Sequence, residues 1–326
     1  MKRLEDQVLR NDWIVACKIE DVKEEPIQKI VMGERIVLFR NEDGVHAFRD
    51  LCIHRGAALS LGCVKDGNLI CPYHGWEFNS EGACTNIPQL PEGRAIPLKA
   101  KAIKYLCREE YGFVWINLNN NDPEFFPYPE FADKTYRNVL WGPQEVNALP
   151  PRVVENFLDV GHLAFVHVGY LGVEDHPVIG DYDVHVEDGR IFSDEISIFQ
   201  PDPDGSGQSK DVYYTYEVLR PLVVQFIKRD PETDSKMKII LMISPVTEEK
   251  SIAYGILSFN YDTGQTDKEI TDFQDMIFAQ DKPIVENQKP EELPLDLQAE
   301  LSLKSDRMSI AYRQYLKKLG VTLGTA

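Results

Sequence analysis

Cys52-Ile53-His54-Arg55-Gly56 and Cys71-Pro72-Tyr73-His74-Gly75-Trp76, with sixteen residues between His54 and Cys71, decide how this chain is read. A Cys-x-His and a Cys-x-x-His supply two thiolates and two imidazoles from two short turns, enough to close one inorganic site. That ligand set serves a structural zinc, and it also serves a 2Fe-2S cluster with cysteines on one iron and histidines on the other. The intervening residues favour the cluster. Gly56, Pro72 and Gly75 let bare backbone N–H groups approach sulfides, which carry negative charge and need donors; a zinc loop has no such need.

The arrangement resembles the Rieske iron–sulfur motif. Respiratory-chain Rieske proteins carry two further cysteines that join the loops, and a serine after the second His-Gly; this sequence has Ala57, Tyr73 and Trp76 there. The loops are therefore similar to those of Rieske oxygenases and ferredoxins. The resemblance implies a potential toward the lower part of the Rieske range of about −150 to +300 mV, suited to donating electrons to oxygen chemistry.

The chain has 326 residues, 43% of them hydrophobic, which is enough for two domains with a sizeable core. No apolar run reaches membrane-spanning length and the charged first thirty residues lack a signal-peptide core, so a cytoplasmic location with no membrane partner is expected. The net charge of −18 argues against a nucleic-acid partner, because phosphate binding needs a basic surface. With Cys52 and Cys71 assigned to the cluster, Cys17, Cys63, Cys84 and Cys107 read as free thiols.

Short strand patterns over 13–16, 35–40, 45–49, 76–78 and 111–118, with turns at 41–44 and 79–82, predict an N-terminal antiparallel β-sandwich presenting the two loops. The Asn- and Pro-rich stretch 119–129 reads as a linker, giving domains 1–120 and 121–326. The second opens with helical spacing over 150–166. Strand patterns follow at 182–186, 191–199, 212–216, 222–228, 237–244 and 252–259, then helices over 268–288 and 306–319. Strands that succeed one another without helices make an antiparallel sheet, so the fold class is α+β, with helices flanking the sheet in a helix-grip-like arrangement. His46 alternates with Val45 and Ala47 and is expected to face solvent; His176 and His185 have no ligand spacing.

A lone cluster domain does not need two hundred further residues, so the second domain should use the electrons. Asn156, Asp159, His162 and His167 lie together on its first helical stretch. Two histidines five apart are by themselves ordinary surface or core residues; beside the first motif they become ligand candidates. They lie about 140° apart on an ideal helix, so the helix must loosen or end between them to aim both at one ion, and Gly169 is placed to help. Asp159 precedes His162 by three residues, on the same helix face, where its carboxylate can accept that ligand's N–H. Two histidines and a carboxylate form the facial triad of non-haem Fe(II) oxygenases. Spacing does not pick the carboxylate out of 53 acidic residues.

Over its whole length the chain resembles the catalytic subunits of Rieske non-haem iron oxygenases of the small homotrimeric type. The segment Gln280-Asp281 with Ile284, Gln288, Pro290 and Leu293-Pro294-Leu295 looks like that family's C-terminal ligand helix, which implies Asp281 as the third ligand, with Asp275 as the alternative. Pro283 departs from a regular helix there and is expected to kink it. The segment from His167 to Gly172, with Ser305-Asp306-Arg307, Ala311-Tyr312-Arg313 and 316–322, is similar to cyanobacterial hydroxylases of saxitoxin-type toxins. The resemblance implies a monooxygenase with a 2Fe-2S cluster on Cys52, His54, Cys71 and His74, and Fe(II) on His162, His167 and Asp281. Asp159 and Asn156 are then candidates for catalytic roles. Its implied partners are O2, a small fused-ring substrate, and a separate reductase or ferredoxin supplying electrons from NAD(P)H. In such a homotrimer Asp159 would link the iron to the cluster of the next subunit. Hydroxylation of a C–H bond is the leading expectation, with O-demethylation of a methoxy-aromatic or a pure electron-transfer role as alternatives.

Overall fold

β-Branched and aromatic runs separated by tight turns build the first unit, Met1–Phe125, as two antiparallel sheets in the computed structural model, which describes residues 2–187, 189–203 and 207–326. The larger sheet has the order Ile14–Lys18, Phe113–Asn117, Lys104–Glu110, Gly44–Arg49, Glu34–Asn41, Ile27–Val31. The smaller has four short strands, Cys63–Lys65, Asn68–Ile70, Glu77–Phe78 and Cys84–Asn86. Val37, Phe39 and Phe48 from one sheet and Leu69 and Phe78 from the other share a single apolar core, and Cys52 and Cys71 are part of it. A short helix, α1 (Gln7–Arg10), precedes the first strand. His46 differs from expectation. It is half-buried, 5.3 Å from the Phe39 ring, with Nε2 2.8 Å from Asn41 Oδ1, because the turn at 41–44 folds Asn41 back over its strand.

The second unit, Phe126–Ala326, has among its described residues an antiparallel sheet and three α-helices. Its strand order is Arg137–Val146, Ser251–Phe259, Lys236–Pro245, Val223–Arg229, Lys210–Arg220, Arg190–Ser193 and Val184–Glu187, with Ile196–Gln200 also paired to Lys210–Arg220. One strand expected over 191–199 is two. The chain breaks at Asp194, whose carboxylate accepts from Asp183 N–H at 3.2 Å and meets His185 Nε2 at 2.7 Å. No helix among the described residues is long and apolar enough to cross a membrane.

Helix α2 (Pro150–Leu158) starts with two prolines, which lose nothing at positions whose N–H groups have no helical partner. Helix α3 (Asp267–Val285) starts at a capping box, Thr266 with Glu269, and runs through Pro283 in its last turn to Val285. Proline there removes one hydrogen bond where the ladder is about to end, so the helix tolerates it. Helix α4 (Arg307–Leu319) stops at Gly320 in the left-handed conformation.

A buried ion network fixes α2. Arg313 of α4 places Nε 2.5 Å and Nη2 2.9 Å from the two Glu155 carboxylate oxygens. Arg152 lies 3.4 Å from the same carboxylate and donates to Pro290 O at 2.9 Å, while Glu300 bridges both arginines at 3.1 and 2.6 Å. Arg152 and Arg313 are only 3% and 7% exposed, so neither guanidinium can turn to water. Glu155→Gln leaves one carboxylate, Glu300, facing two buried guanidiniums and should destabilise the unit by about 3 kcal/mol, the cost of breaking a buried charge pair. Calorimetry should read this as a melting midpoint about 6–12 °C lower; an unchanged midpoint would mean that the network contributes nothing.

Candidate active site and metal centres

The two Cys/His loops are built alike. In the first, Cys52 N–H donates to Ala57 O at 2.8 Å and Gly56 N–H to Cys52 O at 2.9 Å; in the second, Cys71 N–H donates to Trp76 O at 2.8 Å and Gly75 N–H to Cys71 O at 3.0 Å. Gly56 and Gly75 turn the chain at φ of +73° and +69°. Nothing lies within 4 Å of a Cβ added at Gly56, so this glycine answers to backbone conformation and not to space. The loops bring the His54 and His74 rings to 4.5 Å, and Trp76 stacks on His54 at 4.6 Å and 7°.

The thiols of Cys52 and Cys71 are buried together. Burial pushes Cys52 up to about 11, against backbone N–H groups of His54 and Arg55 that point at its sulfur. His54 Nδ1 is buried with no hydrogen-bond partner among the described residues. Donors aimed at a sulfur and an orphaned imidazole nitrogen fit a cationic cluster bound at this place, which would deprotonate the thiols and use the lone pair.

In the second unit, His162, His167 and Asp281 bring one ligand atom each to within 4.8 Å of one another. His162 Nε2 and His167 Nε2 face each other at 3.2 Å, and Asp281 Oδ1 lies 3.5 and 3.1 Å from them. Opposed lone pairs beside a carboxylate are a poor arrangement alone and a good one around a divalent cation. Each imidazole has a polar side chain behind it, hydrogen-bonded to His167 and close to His162. Gln280 Oε1 is 2.8 Å from His167 Nδ1, placing the proton there and leaving Nε2 bare. Asp159 Oδ2 is 3.4 Å from His162 Nδ1. Burial works to lower the His162 imidazole, and the Asp159 and Asp281 carboxylates outweigh it and raise it. Burial works to raise Asp159, and His162 with the Gly161 and His162 N–H groups holds it below the usual carboxylate range.

Local structure departs from the expected helix over 150–166. α2 ends at Leu158, Asp159 has extended ψ of 115°, and His162 stands in a 3-10 turn, Gly161–Ala164. Asp159 Oδ1 accepts the Gly161 N–H at 2.7 Å, so the aspartate meets His162 through this turn and not through a shared helix face. Asn156 Nδ2 lies 3.4 Å from Asp281 Oδ1. Asp275 is elsewhere: it accepts from Trp141 Nε1 and Gln144 Nε2 at 2.7 Å each and ties α3 to the strand Arg137–Val146. Gln280 belongs to the segment that carries the family resemblance, but nothing in the sequence gives it a role; its place beside Asp281 is the one signal, since periodicity does not mark it.

A cavity of about 510 Å³ opens on these ligands. Strand register dictates its floor. Tyr216, Phe226, Ile239 and Leu257 pair across four strands, and two residues along, Tyr214, Lys228, Met237 and Phe259 do the same. Helix α3 supplies the opposite wall through Ile270, Phe273, Gln274, Ile277, Phe278 and Asp281, one helical face at intervals of three and four. The site therefore joins a potential metal centre to a largely apolar, aromatic chamber sized for a small ring system.

Residues 12–104 match the model of the Rieske [2Fe-2S] domain, and residues 146–322 match that of the vanillate O-demethylase oxygenase C-terminal domain. The chain is 30% identical over 328 residues to methylxanthine N1-demethylase NdmA of Pseudomonas putida, covering 97% of this chain and 90% of that one. It is 33% identical over 166 residues to the oxygenase component of dicamba O-demethylase of Stenotrophomonas maltophilia, covering 49% and 48%. Its fold matches the structure of Pseudomonas putida CBB5 NdmA with caffeine at a TM-score of 0.84 and 28% identity, over 95% of this chain and 91% of the other. Two domain matches in this order and a relative aligned nearly end to end place the chain among the Rieske non-haem iron oxygenases, as a catalytic subunit that uses a 2Fe-2S cluster and a mononuclear iron with electrons from a separate reductase.

Proposed function

We propose that this oxygenase removes a methyl group from a nitrogen or oxygen of a small planar aromatic or heteroaromatic molecule. The balanced reaction is R–CH3 + O2 + two electrons + two protons to R–H, formaldehyde and water: the methyl carbon is hydroxylated, and the carbinol then releases formaldehyde. The observation that carries this reading is the aromatic cavity of about 510 Å³ at His162, His167 and Asp281, in a chain whose relatives are named as N- and O-demethylases.

In this reading Cys52, His54, Cys71 and His74 hold the cluster, and His162, His167 and Asp281 hold Fe(II), which supplies the reduction of O2. The chain's own work is positional. Gln280 and Asp159 fix the imidazoles, and Asn156 meets the free edge of Asp281. The apolar floor keeps bulk water from the reacting methyl, and the Gln274 amide on α3 is available to orient the ring. Ring C–H hydroxylation of a fused-ring metabolite, including a saxitoxin-type toxin, is the second reading; it needs the same centre, and the names of the relatives weigh toward methyl removal.

Asp159 is also the proposed entry for electrons. Its side chain is 36% exposed while one oxygen faces His162, so a histidine of a neighbouring subunit's cluster can reach it in a closed ring of three.

With a surrogate reductase and NADH, N-methylxanthines and methoxybenzoates should be screened for product. Formaldehyde equal to the substrate consumed is expected; a ring-hydroxylated product without formaldehyde would move the assignment to the second reading. Asp159→Asn keeps the size of the side chain and weakens the acceptor. It should leave both metals bound and the cluster reducible while turnover falls by at least about 10-fold, and near-normal turnover would remove Asp159 from the electron route.

A further inference from the structure

Lys210–Arg220 sends Val212, Tyr214 and Tyr216 to the cavity, while Tyr213 between them lies under Arg229 on the other face. Gln200, which is 0% exposed, settles the hydrogen bonding of Tyr214. Its Nε2 contacts Leu171 O at 3.0 Å and Tyr214 Oη at 2.9 Å, and its Oε1 receives Lys228 Nζ at 3.4 Å. A backbone carbonyl only accepts and a lysine only donates, so the amide has one orientation and Tyr214 Oη must accept from it. The Tyr214 hydroxyl proton then has no acceptor among the described residues. Tyr216 is 2% exposed, and its hydroxyl has no hydrogen-bond partner among them at all. The two rings are stacked with centroids 6.0 Å apart, and Phe226 lies 5.1 Å from Tyr214 and 5.8 Å from Tyr216. Tyr216 is on the iron side, since Phe157, which adjoins Asn156, lies 6.4 Å from its ring. Burial raises both phenols, so each keeps its proton at any working pH.

We propose that Tyr214 and Tyr216 are the substrate's hydrogen-bond donors, selecting a neutral planar ring that carries carbonyl oxygens or unprotonated ring nitrogens on the edge facing the sheet. This rests on the demethylase reading for its substrate class. These two hydroxyls belong to residues that line the cavity and have no acceptor among the described residues, so a ring that brings acceptors to that wall satisfies both donors where an apolar ring satisfies neither. The direction Lys228 to Gln200 to Tyr214 polarises the last hydroxyl as a donor, which an apolar ring cannot use. Gln200 acts as a positioning residue, holding the Tyr214 oxygen so that its proton points to the chamber.

The test compares two fragments of the same outline, 1-methyl-2-pyridone, which has one carbonyl, and o-xylene, which has a methyl in its place. Each is titrated by ligand-observed NMR against the full chain with its cluster. Tyr214→Phe/Tyr216→Phe should weaken pyridone about 10-fold and leave xylene unchanged; the single variants assign the contact and stand in if the double variant does not fold. Gln200→Leu should give part of the same selective loss. Equal changes for both fragments, no change for either, or no pyridone binding to the unsubstituted chain would overturn the proposal. Formaldehyde is not read here, so a chain that releases none yet keeps this selectivity would lose the proposed reaction and retain the donor pair.

Discussion

One short hydrogen bond, from Gly161 N–H to Asp159 Oδ1 at 2.7 Å, governs the shape of the second centre. Three ligand atoms must converge from two segments over a hundred residues apart, and a straight helix through 150–166 would aim His162 and His167 in different directions. Asp159 gives its backbone to extended geometry and its carboxylate to the next turn, so α2 stops at Leu158 and a 3-10 turn swings His162 round to face His167. The other carboxylate oxygen faces His162 Nδ1. A single side chain thus ends a helix, turns a ligand toward its partner and keeps a carboxylate oxygen 3.4 Å from that ligand's Nδ1. Arg152 and Glu155 of α2 are held by Arg313 of α4, and Asn156, next to Glu155, reaches Asp281.

Chamber and ligands are linked through α3. Asp281 occupies the same helical face as Ile270, Phe273, Gln274, Ile277 and Phe278, so whatever lies against that face is carried to the metal position. The opposite face is tied down by Asp275 to Trp141 and Gln144. This separates two tasks: apolar residues of α3 shape the chamber and exclude water, while Gln280, off that face, turns to orient His167. Desolvation then strengthens the polar contacts inside, including that of Gln200 with Tyr214.

The motifs were legible because their chemistry is local. Cys52, His54, Cys71 and His74 fall within a few residues of glycines whose left-handed φ the loops require, and the structure places His162, His167 and Asp281 within reach of one ion. Asp281 owed its selection to resemblance, because a carboxylate 114 residues from His167 leaves no spacing to read. Helical spacing over 150–166 overruns the helix, which ends at Leu158 because Asp159 competes for the Gly161 N–H. The chamber was illegible for a different reason. Its floor is set by cross-strand register, Tyr216 opposite Phe226 and Tyr214 opposite Lys228, and alternation within one strand does not say which residue of another strand it meets.

In the proposed enzyme one iron, separate from the cluster, is held by His162, His167 and Asp281. Anomalous diffraction at the iron edge from crystals of the reconstituted chain tests it most directly. A paired-iron peak is expected between Cys52, His54, Cys71 and His74, and a single-iron peak bound by both imidazole Nε2 atoms and the Asp281 carboxylate. A crystal with the cluster peak and no iron at the second position, or iron there on other side chains, would contradict it.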